Sequence, residues 1–347
     1  MRFGDFLFPD CRDPAEDGRV IDETFAEARL ADELGADIIW LAEHHFDGIS
    51  VYGDPIVLAG ALAVLLRQAG LGFAVLQTAL HHPVRLAEQM ALLDHLMRGR
   101  LIVGLGRGSS FNIYDYQGFG IDHHDAQAML DEAEAIMLRA WAGGEFVHEG
   151  RFWQLKVPML RPRAYSQPHP PVVRGSSTDA SLVELARQGK PFLMNVQSLE
   201  TTARRVELYR QTMRAAGYGE AAVAANLAES WVWRNLFVAA TDAAADRVAT
   251  PAFETMARVR AEMRNRIFAE TGERIAVPAR DLPGSRDARG DGVLHGSPAT
   301  VAEDIAALEA IGIGGIIGTF RLGPMPHEMA TESLSLFLRE VAPQFRR

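Results

Sequence analysis

A carboxylate and two imidazoles, Glu43-His44-His45, follow directly on the apolar run Ile38-Ile39-Trp40-Leu41-Ala42. Imidazole changes charge near neutral pH and can give or take a proton there. In an α/β barrel, functional groups project from the C-terminal ends of strands, where loops can vary without disturbing the core. His44 is the candidate catalytic residue, because alternate positions of an extended segment face opposite ways. The competing reading is two polar loop residues whose rings satisfy buried hydrogen bonds.

Two glycine-bearing turns offer a place for an anion. Gly104-Leu105-Gly106-Arg107-Gly108 ends a strand-like run, and Gly106 would let a ligand approach the backbone closely. The Arg107 guanidinium fork matches phosphate oxygens, although a sharp turn with a solvated arginine has the same spelling. The spacing is not that of a dinucleotide-binding fingerprint. Gly175-Ser176-Ser177-Thr178 follows another strand and opens a helix, so free N–H groups, hydroxyls and the positive dipole end converge. Helix capping by Ser176 or Ser177 is the plainer explanation, and both can hold.

Three adjacent pairs, His44-His45, His81-His82 and His123-His124, are rich in metal-ligand side chains. Neighbouring residues rarely both reach one ion, and neither His-x-His nor His-Glu-x-x-His spacing occurs, so no metal is expected. Tyr114, Tyr116, Phe119 and Trp153 read as packing, although the aromatics after the fourth strand could wall a pocket.

These residues need elements to hold them. Strand patterns are expected at Arg2–Phe8, Ile38–Ala42, Leu71–Leu76, Leu101–Leu105, Val172–Val173, Phe192–Val196, Val232–Ala240 and Gly315–Phe320. Helical patterns separate them, including Pro55–Leu66, Pro83–Met97 and Ala126–Trp141, and Glu145–Leu155 reads as a hairpin. The expectation is one α/β domain over residues 1–347, a (β/α)8 TIM-type barrel, with an open doubly wound sheet as runner-up. A long insertion at about 241–296 interrupts the rhythm before the last strand. A charged helix is expected there, then a lid over Pro278–Gly292.

Of the 347 residues, 48% are hydrophobic, enough for a large core. A net charge of -10 provides no basic footprint for nucleic acid. The single cysteine, Cys11, excludes an internal disulfide framework and fits a reducing compartment. No window reads as a signal peptide or membrane span, so a cytoplasmic protein is expected.

The chain resembles the bacterial luciferase-like family of flavin-dependent oxidoreductases along nearly its whole length. The resemblance is carried by Trp40-Leu41-Ala42-Glu43-His44-His45-Phe46, Gly53-Asp54-Pro55, His82-Pro83-Val84-Arg85-Leu86-Ala87-Glu88, Gly104 through Gly108, Gly150-Arg151-Phe152-Trp153, Gly175-Ser176-Ser177 and Gly296-Ser297-Pro298. It implies an eight-stranded barrel that activates O2 with reduced FMN from a separate flavin reductase, acting on a small organic substrate. It places His44 beside the flavin ring and Arg107, Ser176 and neighbouring hydroxyls at the flavin phosphate. A non-proline cis peptide is implied beneath the ring, joining Ala74 to Val75. Ala74, Val75, Gly106, Arg107, Gly175, Ser176 and Ser177 are therefore the expected cofactor-binding residues. A homodimer is expected, because the second and third helices carry apolar residues on more than one face. Gly106 stands where the luciferase catalytic subunit has a reactive cysteine, which argues against light emission. Arg174 replaces an alanine of that subunit, and either adds charge at the phosphate or pairs with Asp179. The alternatives are a deazaflavin-dependent hydride-transfer enzyme and a non-catalytic flavin-binding partner subunit.

Overall fold

The computed structural model describes residues 1–108, 112–272 and 292–346. Twelve strands are formed in these residues: β1 (Arg2–Leu7), β2 (Ile38–Leu41), β3 (Gly70–Phe73), β4 (Leu76–Gln77), β5 (Leu101–Gly106), β6 (Phe146–Glu149), β7 (Gln154–Val157), β8 (Val172–Ser176), β9 (Phe192–Met194), β10 (Trp231–Val238), β11 (Val293–Gly296) and β12 (Gly315–Thr319). Eight of them close a parallel barrel in the order β1-β2-β3-β5-β8-β9-β10-β12, with β12 returning to β1. Helices cover it, among them α1 (Asp17–Glu33), α2 (Pro55–Leu65), α3 (Pro83–Met97), α4 (Ile113–Gly118), α5 (Ala126–Ala142) and α6 (Asp179–Arg187). The expected TIM-type barrel is present.

Alternation along each strand sorts the side chains into two layers. Phe3, Leu7, Ile39, Leu41, Val232 and Leu236 face outward and pack under the helices. Phe6, Ile38, Trp40, Ile102, Val173, Leu193, Trp231 and Ile317 fill the interior. Trp40 and Trp231 meet edge to face at 5.0 Å. Glycines make room for them: a β-carbon on Gly72 would lie 2.5 Å from the Trp40 ring, and β-carbons on Gly4 and Gly315 would overlap Trp40 and Trp231.

Local signals start the helices where the site needs them. Asp54 caps α2, accepting the N–H groups of Ile56 and Val57, with Pro55 in the first turn. Thr178 caps α6 in a reciprocal pair with Ser181. The cap is thus Thr178 and not Ser176 or Ser177. β8 runs on to Ser176, so Arg174-Gly175-Ser176 lies in the strand and not in the following loop, because Arg174, Gly175 and Ser176 pair with Phe192, Leu193 and Met194.

The expected third strand is divided. β3 ends at Phe73 and β4 resumes at Leu76, with a cis peptide joining Ala74 to Val75 between them. The insertion is more regular than its composition implied. Asp242–Thr271 is one 30-residue helix, and Val293–Gly296 is a strand paired with Asn235–Val238 of β10. The proposed lid, Pro278–Gly292, lies outside the described residues except for Gly292. Among the described residues no helix is long and apolar enough to cross a membrane.

Candidate active site

A cavity of about 690 Å³ opens at the C-terminal ends of the strands. All seven expected cofactor residues line it: Ala74, Val75, Gly106, Arg107, Gly175, Ser176 and Ser177. Phe6, Leu193, Trp233 and Ile317 form apolar wall. Val75 packs against the chain at Gly106 and Gly175, where a β-carbon at either position would meet its methyl groups. The floor is therefore backbone and small side chains, a surface that a flat ring can approach.

Hydroxyls and one cation gather at the end of β8. Ser176 Oγ lies 2.8 Å from Ser181 Oγ, and Ser177 and Thr178 line the same space. Arg107 faces it from the end of β5 without an acidic partner among the described residues. Arg174 does not pair with Asp179. It donates to Glu134 and, at 3.0 Å, to Asp131, so its charge is already offset by carboxylates on α5. Asp179 instead accepts from Arg204 and Arg205 at 2.7 and 2.9 Å. These arginines hold its carboxyl below the usual carboxylate range.

His44 is near the cavity but does not line it. Its ring lies against Phe8, with centroids 4.9 Å apart, and its Nδ1 accepts from Asn112 Nδ2 at 2.8 Å. Asn112 does line the cavity. Burial keeps the His44 imidazole below its ordinary range, against the pull of Asp115, Asp47 and Glu43.

A polar network lies behind it. Glu43 is buried and accepts from His45 Nε2 at 3.1 Å, His81 Nε2 at 2.7 Å and Gln77 N at 2.6 Å. Burial alone would raise its pKa, but these hydrogen bonds bring it down to about 2. Burial works against charge on His45, yet the bond to Glu43 prevails and raises its pKa. His45 therefore serves Glu43 and lies apart from the cavity lining. Gln77 Nε2 donates to the carbonyl of Glu43 at 2.9 Å and to Asp115.

Sequence reasoning missed Asn112, Asp115, Asn195 and Trp233. Asn195 lines the cavity with Oδ1 buried and without a hydrogen-bond partner, an acceptor left for a ligand N–H. Trp233 Nε1 donates to Thr319 Oγ1 at 2.7 Å, which fixes its ring in the wall. Asn195 stands one residue past β9, the one available signal; Asn112 and Asp115 lie at the start of and within α4, and Trp233 lies inside β10. The aromatics after β5 divide as well: Tyr116 is buried, whereas Tyr114 donates from a half-buried position to Glu270 at 2.5 Å.

Residues 1–314 match the family model for luciferase-like monooxygenases. The oxygenase component of a flavin-dependent trigonelline monooxygenase from Acinetobacter baylyi is 29% identical over 50% of this chain and 48% of its own. The chain spans about half the length of the curated relatives it matches first, 48% and 46% for the leading two. The crystal structure of the monooxygenase RslO1 from Streptomyces bottropensis superposes with a TM-score of 0.83 at 25% identity, covering 100% of both chains. The oxygenating constituent of 3,6-diketocamphane monooxygenase from Pseudomonas putida, solved in complex with FMN, shares the fold at a TM-score of 0.79 and 22% identity, covering 99% of this chain and 98% of that one.

Proposed function

This chain belongs to the luciferase-like monooxygenase family, and from that premise we propose that it is the oxygenase component of a two-component, FMN-dependent monooxygenase. It would receive reduced FMN from a separate flavin reductase and use O2 to oxidise a small organic substrate in the cytoplasm. The observation that supports this most is the single cavity running from Val75, Gly106 and Gly175 to the Arg107, Ser176, Ser177 and Thr178 cluster.

The residues present fit the group. Val75 and the glycines offer a flat surface to an isoalloxazine, and Asn195 Oδ1 is an acceptor in need of a donor. The hydroxyls and the Arg107 guanidinium, which has no acidic partner among the described residues, suit a phosphate dianion. When bound, reduced FMN supplies the electrons that activate O2. The apolar wall of Phe6, Leu193, Trp233 and Ile317 excludes water, and Asn112 ties His44 to the cavity wall by donating to its Nδ1.

Partnership with a second copy is proposed on α2 and α3, where Val57, Val64, Leu92 and Leu96 are 71%, 81%, 52% and 43% exposed.

Titration of the purified protein with FMN, reduced FMN and a tailed deazaflavin tests the reading. Reduced FMN should bind tightest, and a reductase should then support O2-dependent oxidation of added small organic substrates. Preference for the deazaflavin would overturn the assignment.

A further inference from the structure

Among the described residues, Asn112, 7% exposed, is the cavity-lining residue that hydrogen-bonds His44. Asn112 Nδ2 donates to His44 Nδ1 at 2.8 Å and to Asp115 Oδ2 at 3.1 Å. A carboxamide nitrogen carries two hydrogens, and these two bonds use both.

The orientation of that amide follows from what faces Asp115. Its Oδ1 accepts the backbone N–H of His45 at 3.1 Å, and its Oδ2 accepts from Gln77 Nε2 as well as from Asn112. Gln77 cannot be turned over, because the same Nε2 donates to the backbone carbonyl of Glu43, which only accepts. Asp115 is thus an acceptor on both oxygens, and Asn112 must present its NH2 to it. The second N–H then points at His44 Nδ1. A ring nitrogen that accepts a hydrogen bond carries no proton, so the proton of neutral His44 sits on Nε2.

We propose that Asn112 is a positioning residue that, oriented by Asp115, holds His44 as the neutral Nε2–H tautomer. His44 is then a hydrogen-bond donor through Nε2 and not a resident cation. Forming the imidazolium would place an N–H on Nδ1 against an N–H of Asn112, with no acceptor between them. The surrounding groups agree with a neutral ring: Asp115, Asp47 and Glu43 favour the charged form, but burial and His45 oppose it and prevail. The catalytic use of this tautomer rests on the oxygenase reading, whereas the tautomer itself does not.

Nitrogen-15 NMR of histidine-labelled protein without flavin tests the proposal, with His44→Gln to assign the resonance. The wild-type ring should show the Nε2–H signature and titrate below the ordinary histidine midpoint. Asn112→Asp replaces the donor with a carboxylate, so the proton should move to Nδ1 and the midpoint should rise by about one pH unit or more. If that variant fails to fold by circular dichroism, Asp115→Asn carries the test: it frees the Asn112 amide to rotate and should yield a mixture of tautomers. A wild-type ring protonated on Nδ1 overturns the proposal. So does a tautomer and midpoint unchanged by whichever variant folds. With reduced FMN and a reductase, the pH at which O2 is lost as hydrogen peroxide should move upward with Asn112→Asp. A protein that shows these tautomers but does not bind reduced FMN removes the oxygenase reading and leaves the positioning of His44 standing.

Discussion

A β-carbon placed on Gly106 would drive into the Cγ2 methyl of Val75, the residue that closes the cis peptide at the cavity floor. Gly106 is thus a steric requirement of this site. Gly106→Ala should cost about 1–3 kcal/mol in stability, the usual penalty for overpacking, and should weaken FMN binding by lifting Val75 into the cavity. Thermal unfolding and flavin titration measure both. Adding Val75→Ala should restore most of the loss; a single variant as stable as wild type would show that Val75 yields freely.

Arg107 is predicted to recognise charge. Arg107→Ala should weaken reduced FMN by about 1.5–3 kcal/mol, the range for a charge-assisted hydrogen bond. Riboflavin lacks the phosphate and should bind wild type and variant alike. Equal losses for both ligands would assign Arg107 a structural role.

Glu43 predicts an acid-labile fold. Its carboxyl falls from an ordinary 4.5 to about 2 in the folded chain. A depressed carboxyl stabilises the fold above the unfolded value and loses that contribution as pH falls from 4.5 towards 2. The difference is roughly 3 kcal/mol. Glu43→Gln should be less stable than wild type at pH 7, and the two should converge near pH 2. Parallel stability curves across that range in urea unfolding would contradict the prediction.

The exposed valines and leucines of α2 and α3 predict assembly. Val64→Glu with Leu92→Glu should turn a dimer into a monomer in sedimentation, since like charges buried without partners are costly at an apolar interface. A wild-type chain that sediments as a monomer at micromolar concentration would remove this surface as a contact.

The barrel was legible from the chain because its eight strands are short apolar runs regularly separated by helical spacing. Val293–Gly296 was not, since four residues ending in His295-Gly296 carry no periodicity amid proline, glycine and charge; only pairing with Asn235–Val238 makes them a strand. The cavity lining was legible where backbone does the work, at Gly106, Gly175 and the serines. Asn112 and Asn195 were not, because an asparagine past a strand end is ordinary until its neighbours are known. The same limit applied to Arg174, whose partners Asp131 and Glu134 lie about forty positions earlier, on α5.

The pair of indoles at the foot of the barrel, Trp40 against Trp231, is fully buried. The barrel is thereby a vessel stoppered at one end, and traffic is confined to the rim at the other. Whatever settles against Val75 must arrive before anything lodged above it and must wait for that upper occupant to leave. Order of entry and exit is then a property of the architecture, readable in product-inhibition kinetics.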